Sequence, residues 1–550
     1  MAGLFVGLAA VAGWAALKPS VARAQVRIPS AMVADEEQVS RVLQKGQQLE
    51  RERRWGEALS HYEDAVKSHP ERRDFHDRLT LSKAHFDVTR RYADSSFTHT
   101  VDKLRAADAL ELYSEVLTKI HTHYVQPPNW HDLVRRGTFM LEVALTEPLF
   151  LEKHLAGVSA AKINRCRDTL RDMTDKREIQ NRHEARDSVV AASQFAVSEL
   201  GLPAEAVVLE YMCGATSSLD EYSSFLTGDQ LDDVFSQIEG NFVGLGIELK
   251  AENQALLIVN VIASSPADKG GLRRGERIVA VDGQTTTDIS TDGAADLLKG
   301  LEGSTVTVEV HDAQGAARSV RMLRERVEVP SVEDVKIADA SYGIGYLKLS
   351  SFQKTTSRDV DAALWKLHKL GMKSLIVDVR GNPGGLLTAA VEVADKFVPQ
   401  GIIVSTKGRN TSEDFEYKAH SVGTWRVPLV VLIDGDSASA SEIFAGAIRD
   451  HRRGQIVGQK SYGKGSVQGI FPLTTTNAGV RLTTAKFYSP NGQAISKVGV
   501  APDIRVPLDS KPHLVAKPVG ETIATTPPPA DTVLNEGLKH ARHQLSQRQP

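Results

Sequence analysis

One stretch, Asp434–Gln468, constrains this chain more than any other: DGDSASASEIFAGAIRDHRRGQIVGQKSYGKGSVQ. The apolar run Leu429–Ile433 before it predicts a buried strand, and EIFAGAI after the small residues has its apolar positions at helical spacing. Ser437, Ser439 and Ser441 therefore fall at a strand-to-helix turn, where a hydroxyl stands beside the free N–H groups of a helix start. A second turn, Ser461–Gly465, sets Lys464 between two glycines, which lets that lysine lie close to other backbone. Two readings fit this fragment: a helix merely capped by serine, or a presented nucleophile with a lysine near it. Gly458–Lys464 also spells G-x-x-x-x-G-K, but Gly465 replaces the hydroxyl residue of a phosphate loop, and SVQGIFPL reads as a strand rather than a helix. Nucleotide binding is therefore not expected.

The rest of the chain supplies organisation. At 550 residues it is long enough for three or four domains. A net charge of −3 and the lack of long basic runs speak against a nucleic-acid partner. The two cysteines, Cys166 and Cys213, make no metal spacing, and read as two unrelated thiols or a single bridge. The histidines show no HExxH spacing, so no metal and no cofactor are expected. Leu4–Leu17 is an apolar run of 14 residues followed by Ala22-Arg23-Ala24. It is short for a membrane span. Residues 1–24 are read as a signal peptide or an N-terminal anchor, although no Lys or Arg precedes the run.

Residues 35–100 are helical in pattern. Gly46, Ala58, Tyr62, Ala65 and Pro70 fit one tetratricopeptide-like repeat, and fit an ordinary helical hairpin as well. Residues 101–238 continue as helix, with a strongly charged piece at 152–195 and a capped helix at Thr227. From 241 to 328 short β-type runs take over, and the block opens with Gly244-Leu245-Gly246-Ile247. With Ser265-Pro266-Ala267 and GLRRGERIVAVDGQ, it resembles a PDZ domain. Such a loop offers N–H groups to a peptide's terminal carboxylate, and the next strand edge takes the peptide as an added strand. Residues 329–508 alternate strands (343–349, 374–380, 401–407, 427–433) with helices (357–369, 386–397), predicting a mainly parallel sheet with its site at the strands' C-terminal ends. Gly381-Asn382-Pro383-Gly384-Gly385 falls at one such end. Residues 509–550 read as a Pro-containing tail with a short amphipathic stretch, Thr532–Leu545.

With these pieces in line the chain resembles the carboxyl-terminal processing proteases, also called tail-specific proteases. The resemblance covers Leu110–Val125 and Ser217–Val506, through SSLDEYSSFLT, GYLKLSSF, VDVRGNPGGLL, DSASASEIFAGAIRD, GQKSYGKGSVQ and LTTAKFYSPNG. It implies an α/β protease core (a ClpP/crotonase-like sheet with helices) plus a PDZ domain and an N-terminal all-helical region. It implies Ser439 as nucleophile, Lys464 as general base and Gln468 as the residue that holds the lysine. It implies an oxyanion hole from the N–H of Ala440 and that of Gly384 or Gly385, with Asp450 as structural support. Gly244, Leu245, Gly246 and Ile247 would bind the peptide terminus. The implied partners are proteins or peptides with free C-termini, with homodimers formed through the N-terminal helices and membrane association through the N-terminus. Residues 1–24, read as a signal peptide or anchor, place the expected location in the periplasm or at the outer face of the inner membrane. The N-terminal 100 residues and the 140–205 insertion depart from the family pattern. A serine needs a base within reach, and a lysine serves only when neutral, so burial by neighbours such as Tyr462 and Val467 is expected. The competing expectation is a non-catalytic PDZ and helical-repeat scaffold that holds peptide termini.

Overall fold

The computed structural model describes residues 30–252, 255–286, 297–312, 314–507 and 531–547, with the side chains of 30–37 and 251–252 excepted. The N-terminal segment 1–24 and most of the tail before Asp531 lie outside the described residues.

The chain divides at Arg90 into two units. In the first, the helices Ser30–Arg51 and Trp55–Ser68 pack around Val39, Leu49, Ala58, Tyr62, Ala65 and Phe75. Gly46 is needed at their crossing, because a Cβ there would stand 2.2 Å from the Tyr62 ring. In the second unit, helices Ala106–His123, Trp130–Ala144, Ala160–Asp175, Arg182–Leu200 and Ala204–Ser217 bury one another's apolar stripes. Residues 140–205 fold into this bundle, and Cys166 and Cys213 are both buried and not joined in a disulfide. Thr227 caps the helix Gly228–Glu239 in a reciprocal capping box with Gln230.

The segment from 247 to 323 forms an antiparallel sheet around Leu245, Leu256, Ile258, Ile278, Val306, Val308 and Val310. Among the described residues its strand Ile247–Glu252 pairs with Ala255–Val261 alone, which leaves its other edge without a strand partner there. Asn241–Gly244 pairs with Glu325–Glu328, so the chain enters and leaves this domain through one two-stranded ribbon.

Six strands build the core sheet in sequence order: Val332–Asp339, Ile344–Leu349, Ser374–Asp378, Leu429–Ile433, Gln455–Gly458 and Ile504–Arg505. The first pair is antiparallel and the rest are parallel. Alternate residues explain the continuous apolar runs. Leu347, Leu375, Val377, Val431 and Ile433 face helices Thr356–Lys369, Leu387–Asp395 and Ala440–Asp450. Tyr346, Ile376, Val430 and Leu432 face the tail helix Thr532–Ser546. One strand departs from expectation. Ile402–Gly408 leaves this sheet and pairs antiparallel with Gly479–Tyr488, in a second sheet that also holds Ser466–Pro472 and Ser224–Leu226.

Candidate active site

The strand Leu429–Ile433 ends at the sheet edge, and the chain turns through Asp434–Ala438 into the helix Ala440–Asp450. The three serines of the turn differ in environment. Ser437 Oγ donates to Val379 O at 2.8 Å and Ser441 Oγ to Asn382 O at 3.0 Å, and both residues are buried. Ser439 is half-buried and its hydroxyl donates to no group among the described residues. Its φ of +54° and ψ of −112° lie where a non-glycine residue is strained. Two side chains near the end of the helix stand apart from the turn. His451 Nε2 binds Ile402 O at 2.7 Å, and Asp450, at the helix's far end, accepts the Asn491 N–H at 3.2 Å.

The strain is held by a group that motif reading passed over. Glu442 is fully buried, and its Oε2 accepts the N–H of Ser439 at 2.8 Å and of Lys464 at 2.9 Å. Its Oε1 accepts the Ser461 hydroxyl at 2.6 Å and the Gly463 N–H at 2.7 Å. One carboxylate oxygen thus joins the serine turn to the lysine turn. The Glu three residues after a turn serine was the available signal, but that spacing reads as a helix cap.

Lys464 is half-buried, and its ammonium lies 4.6 Å from the centre of the Tyr222 ring. Burial holds its pKa below the ordinary lysine value, and the positive charge of Arg481 pushes it the same way; Glu221, Glu442 and Asp220 oppose. The ring that covers the amine is Tyr222, from the segment after the helical bundle, held by a bond from Arg481 Nε to Tyr222 O at 3.0 Å. Tyr462, expected to desolvate it, is 58% exposed. In this arrangement no hydrogen bond joins Ser439 Oγ and Lys464 Nζ among the described residues. The Gln468 amide turns to Ser466, with Nε2 at 2.9 Å from its Oγ.

Beside Ser439 stands the turn 381–385. Gly384 abuts it so closely that a Cβ there would lie 2.8 Å from Ser439 Cβ and 2.9 Å from Ala440 N. The Gly384 N–H donates to Asn382 Oδ1 at 2.9 Å. The N–H groups of Gly385 and Ala440 have no acceptor among the described residues. In the 241–328 block, the N–H groups of Leu245 and Gly246 likewise have none.

Comparison with known proteins follows the same division. Residues 343–506 match the model of peptidase family S41, and residues 257–311 match a PDZ domain. A carboxy-terminal-processing protease of Bartonella bacilliformis is 38% identical over 307 residues, 54% of this chain and 69% of that protein. A carboxyl-terminal-processing protease of Synechocystis is 35% identical over 264 residues, 48% of this chain and 61% of that one. Among solved structures, a photosystem II D1 C-terminal processing protease aligns over 72% of this chain and 92% of its own, at 25% identity and a TM-score of 0.39.

Proposed function

The chain belongs to the carboxyl-terminal-processing serine peptidases of family S41, and from that premise we propose that it is an endopeptidase working through Ser439 and Lys464. The observation that carries this reading is the shared oxygen of Glu442, which binds the backbone of both residues although they lie far apart in sequence. Neutral Lys464 turns from the Tyr222 ring, guided by Gln468, and takes the proton of Ser439 Oγ. The alkoxide attacks the scissile carbonyl. The oxyanion rests on the N–H groups of Ala440 and Gly385, each worth about 3 kcal/mol in the transition state. We assign Gly385 rather than Gly384 because the Gly384 N–H is already bound to Asn382. Lys464, now charged, protonates the leaving amine, and water resolves the acyl-enzyme. Asp450 takes no part in these steps and holds the turn Ser489–Gly492 through the Asn491 N–H.

In this reading the Gly244–Ile247 loop and the free edge of Ile247–Glu252 take a substrate's C-terminus and feed the chain toward Ser439. Export to the periplasm or the outer face of the inner membrane belongs to the same proposal, supported by Leu4–Leu17 and the small-x-small triplet after it. So do membrane association through that segment and homodimers through the N-terminal helices. Cell fractionation and sedimentation test these.

Digestion of an unstructured protein, with products read by mass spectrometry, tests the chemistry. Wild type is expected to cleave it, and Ser439→Ala and Lys464→Ala to lose cleavage. Survival of cleavage in both variants rejects the assigned pair. No cleavage by wild type on any unstructured substrate favours a peptide-holding scaffold.

A further inference from the structure

The tail helix Thr532–Ser546 does more than cover the sheet. It is capped by Asp531, whose Oδ1 accepts the Leu534 N–H at 2.9 Å. The same carboxylate faces Arg380: Nη1 donates to Oδ1 and Nη2 to Oδ2, both at 2.8 Å. The other edge of that guanidinium is bound to Asp378, with Nε at 3.0 Å from both oxygens and Nη2 at 2.6 Å from Oδ2. Asp378 ends the strand Ser374–Asp378, is buried, and also takes the Tyr346 hydroxyl at 2.9 Å. Arg380 is therefore clamped between a core carboxylate and one brought from 151 residues away. The next residue, Gly381, opens the turn that runs to Gly385.

The turn's remaining anchors lie on the serine side and on the strand Ile344–Leu349 with the segment after it, where the Phe352 N–H donates to Gly384 O at 2.9 Å and the Leu386 N–H to Phe352 O at 2.7 Å. Gly381 N–H donates to Asp434 Oδ1 at 3.0 Å, Asn382 Nδ2 to Leu349 O at 2.9 Å, and Ala438 N–H to Asn382 O at 3.0 Å. Arg380 is the anchor on the tail-helix side. A planar guanidinium gripped on two edges has a fixed orientation, and one gripped on a single edge can swing about it.

We propose that Asp531 is a positioning residue for the oxyanion turn: the tail helix supplies the carboxylate that fixes Arg380, and Arg380 fixes the backbone from which the Gly385 N–H projects. This rests on the reading that the 381–385 turn donates to the oxyanion. The tail helix is then part of the catalytic unit and not an appendage.

Asp531→Asn is a clean variant, because Asn caps a helix as well as Asp but cannot grip a guanidinium with two oxygens. Arg542→Ala is its control. It breaks an ion pair that joins the helix to the sheet away from the turn, Arg542 Nε to Asp339 Oδ2 at 2.7 Å. In the full-length protein, Asp531→Asn is expected to lower kcat about tenfold with KM little changed. Arg542→Ala is expected to lower the melting temperature at least as much and leave kcat at the wild-type value. Wild-type kcat in Asp531→Asn overturns the proposal. So does a fall in both variants that merely tracks the folded fraction. Ser439→Ala in the same assay separates the layers. If it is inactive while Asp531→Asn is normal, only this inference falls; if it stays active, the site reading falls and takes this one with it.

Discussion

Glu442 shows how much one side chain can settle. A carboxylate with no exposure is tolerated only when its oxygens are bonded, and here four donors converge on it: three backbone N–H groups and the Ser461 hydroxyl. Glu442→Gln keeps the shape but turns an NH2 toward two of those donors. It is expected to cost about 2 kcal/mol of stability, read by thermal denaturation, and to lower the cleavage rate more than the lost folded fraction explains. Lys464 carries the second residue-scale prediction. A base must be neutral, so kcat/KM should rise with pH through the Lys464 pKa, at a pH below the reference lysine value of about 10.4. Arg481 disfavours the ammonium, so Arg481→Met should raise that pKa, move the acid limb to higher pH and slow the reaction at neutral pH. A limb that stays in place shows that another group titrates. The turns that carry Ser439 and Lys464 were legible because their neighbours in sequence build them. Glu442 was hidden in a helix-cap spacing, and Tyr222 was hidden because the ring over Lys464 comes from a segment much earlier in the chain.

At the scale of elements, the turn 381–385 separates two kinds of glycine. Gly381 has a φ of +69° with open space around its missing Cβ. Gly385 has a φ of +139°, and a Cβ there would stand 2.0 Å from Phe352 O. The first glycine serves conformation alone, and the second also lets two backbones touch. Gly381→Ala is therefore expected to cost about 1 kcal/mol and keep activity. Gly385→Ala is expected to push the turn off Phe352 and abolish cleavage, even where circular dichroism shows a folded protein. Equal activity in the two variants would remove Gly385 from the oxyanion hole. The core strands were readable because helices cover both sheet faces, which makes each strand an unbroken apolar run. That pattern carries no pairing information, so Ile402–Gly408 looked like a further parallel strand while its partner lies in the other sheet. The tail helix was visible as an amphipathic stretch, but its seat on Leu432 and Ile376 depends on contacts too distant in sequence for periodicity to report.

For the whole molecule, the question is how a peptide-binding domain and a cleavage site act on one chain. The 241–328 domain is joined to the core by the ribbon of Asn241–Gly244 and Glu325–Glu328, so both of its covalent links leave at one place. In the proposed reading its edge strand and the N–H groups of Leu245 and Gly246, which have no acceptor among the described residues, take the carboxylate, while Ile247 and Leu249 sit against its apolar core. Capture at that site raises the local concentration of the same chain at Ser439, an effect that depends on the substrate being long enough to reach both. The substrate itself can then be varied with the enzyme untouched. Replacing the C-terminal carboxylate of a long unstructured substrate by an amide removes the charge that strengthens those hydrogen bonds. KM is expected to rise about tenfold with kcat unchanged. A peptide too short to span the two sites should show no difference between acid and amide. If long acid and amide substrates are cleaved alike, the domain does not deliver C-termini, whatever Ser439 and Lys464 do. If the short peptide also distinguishes them, the carboxylate is being read at the cleavage site and not at the Gly244–Ile247 loop.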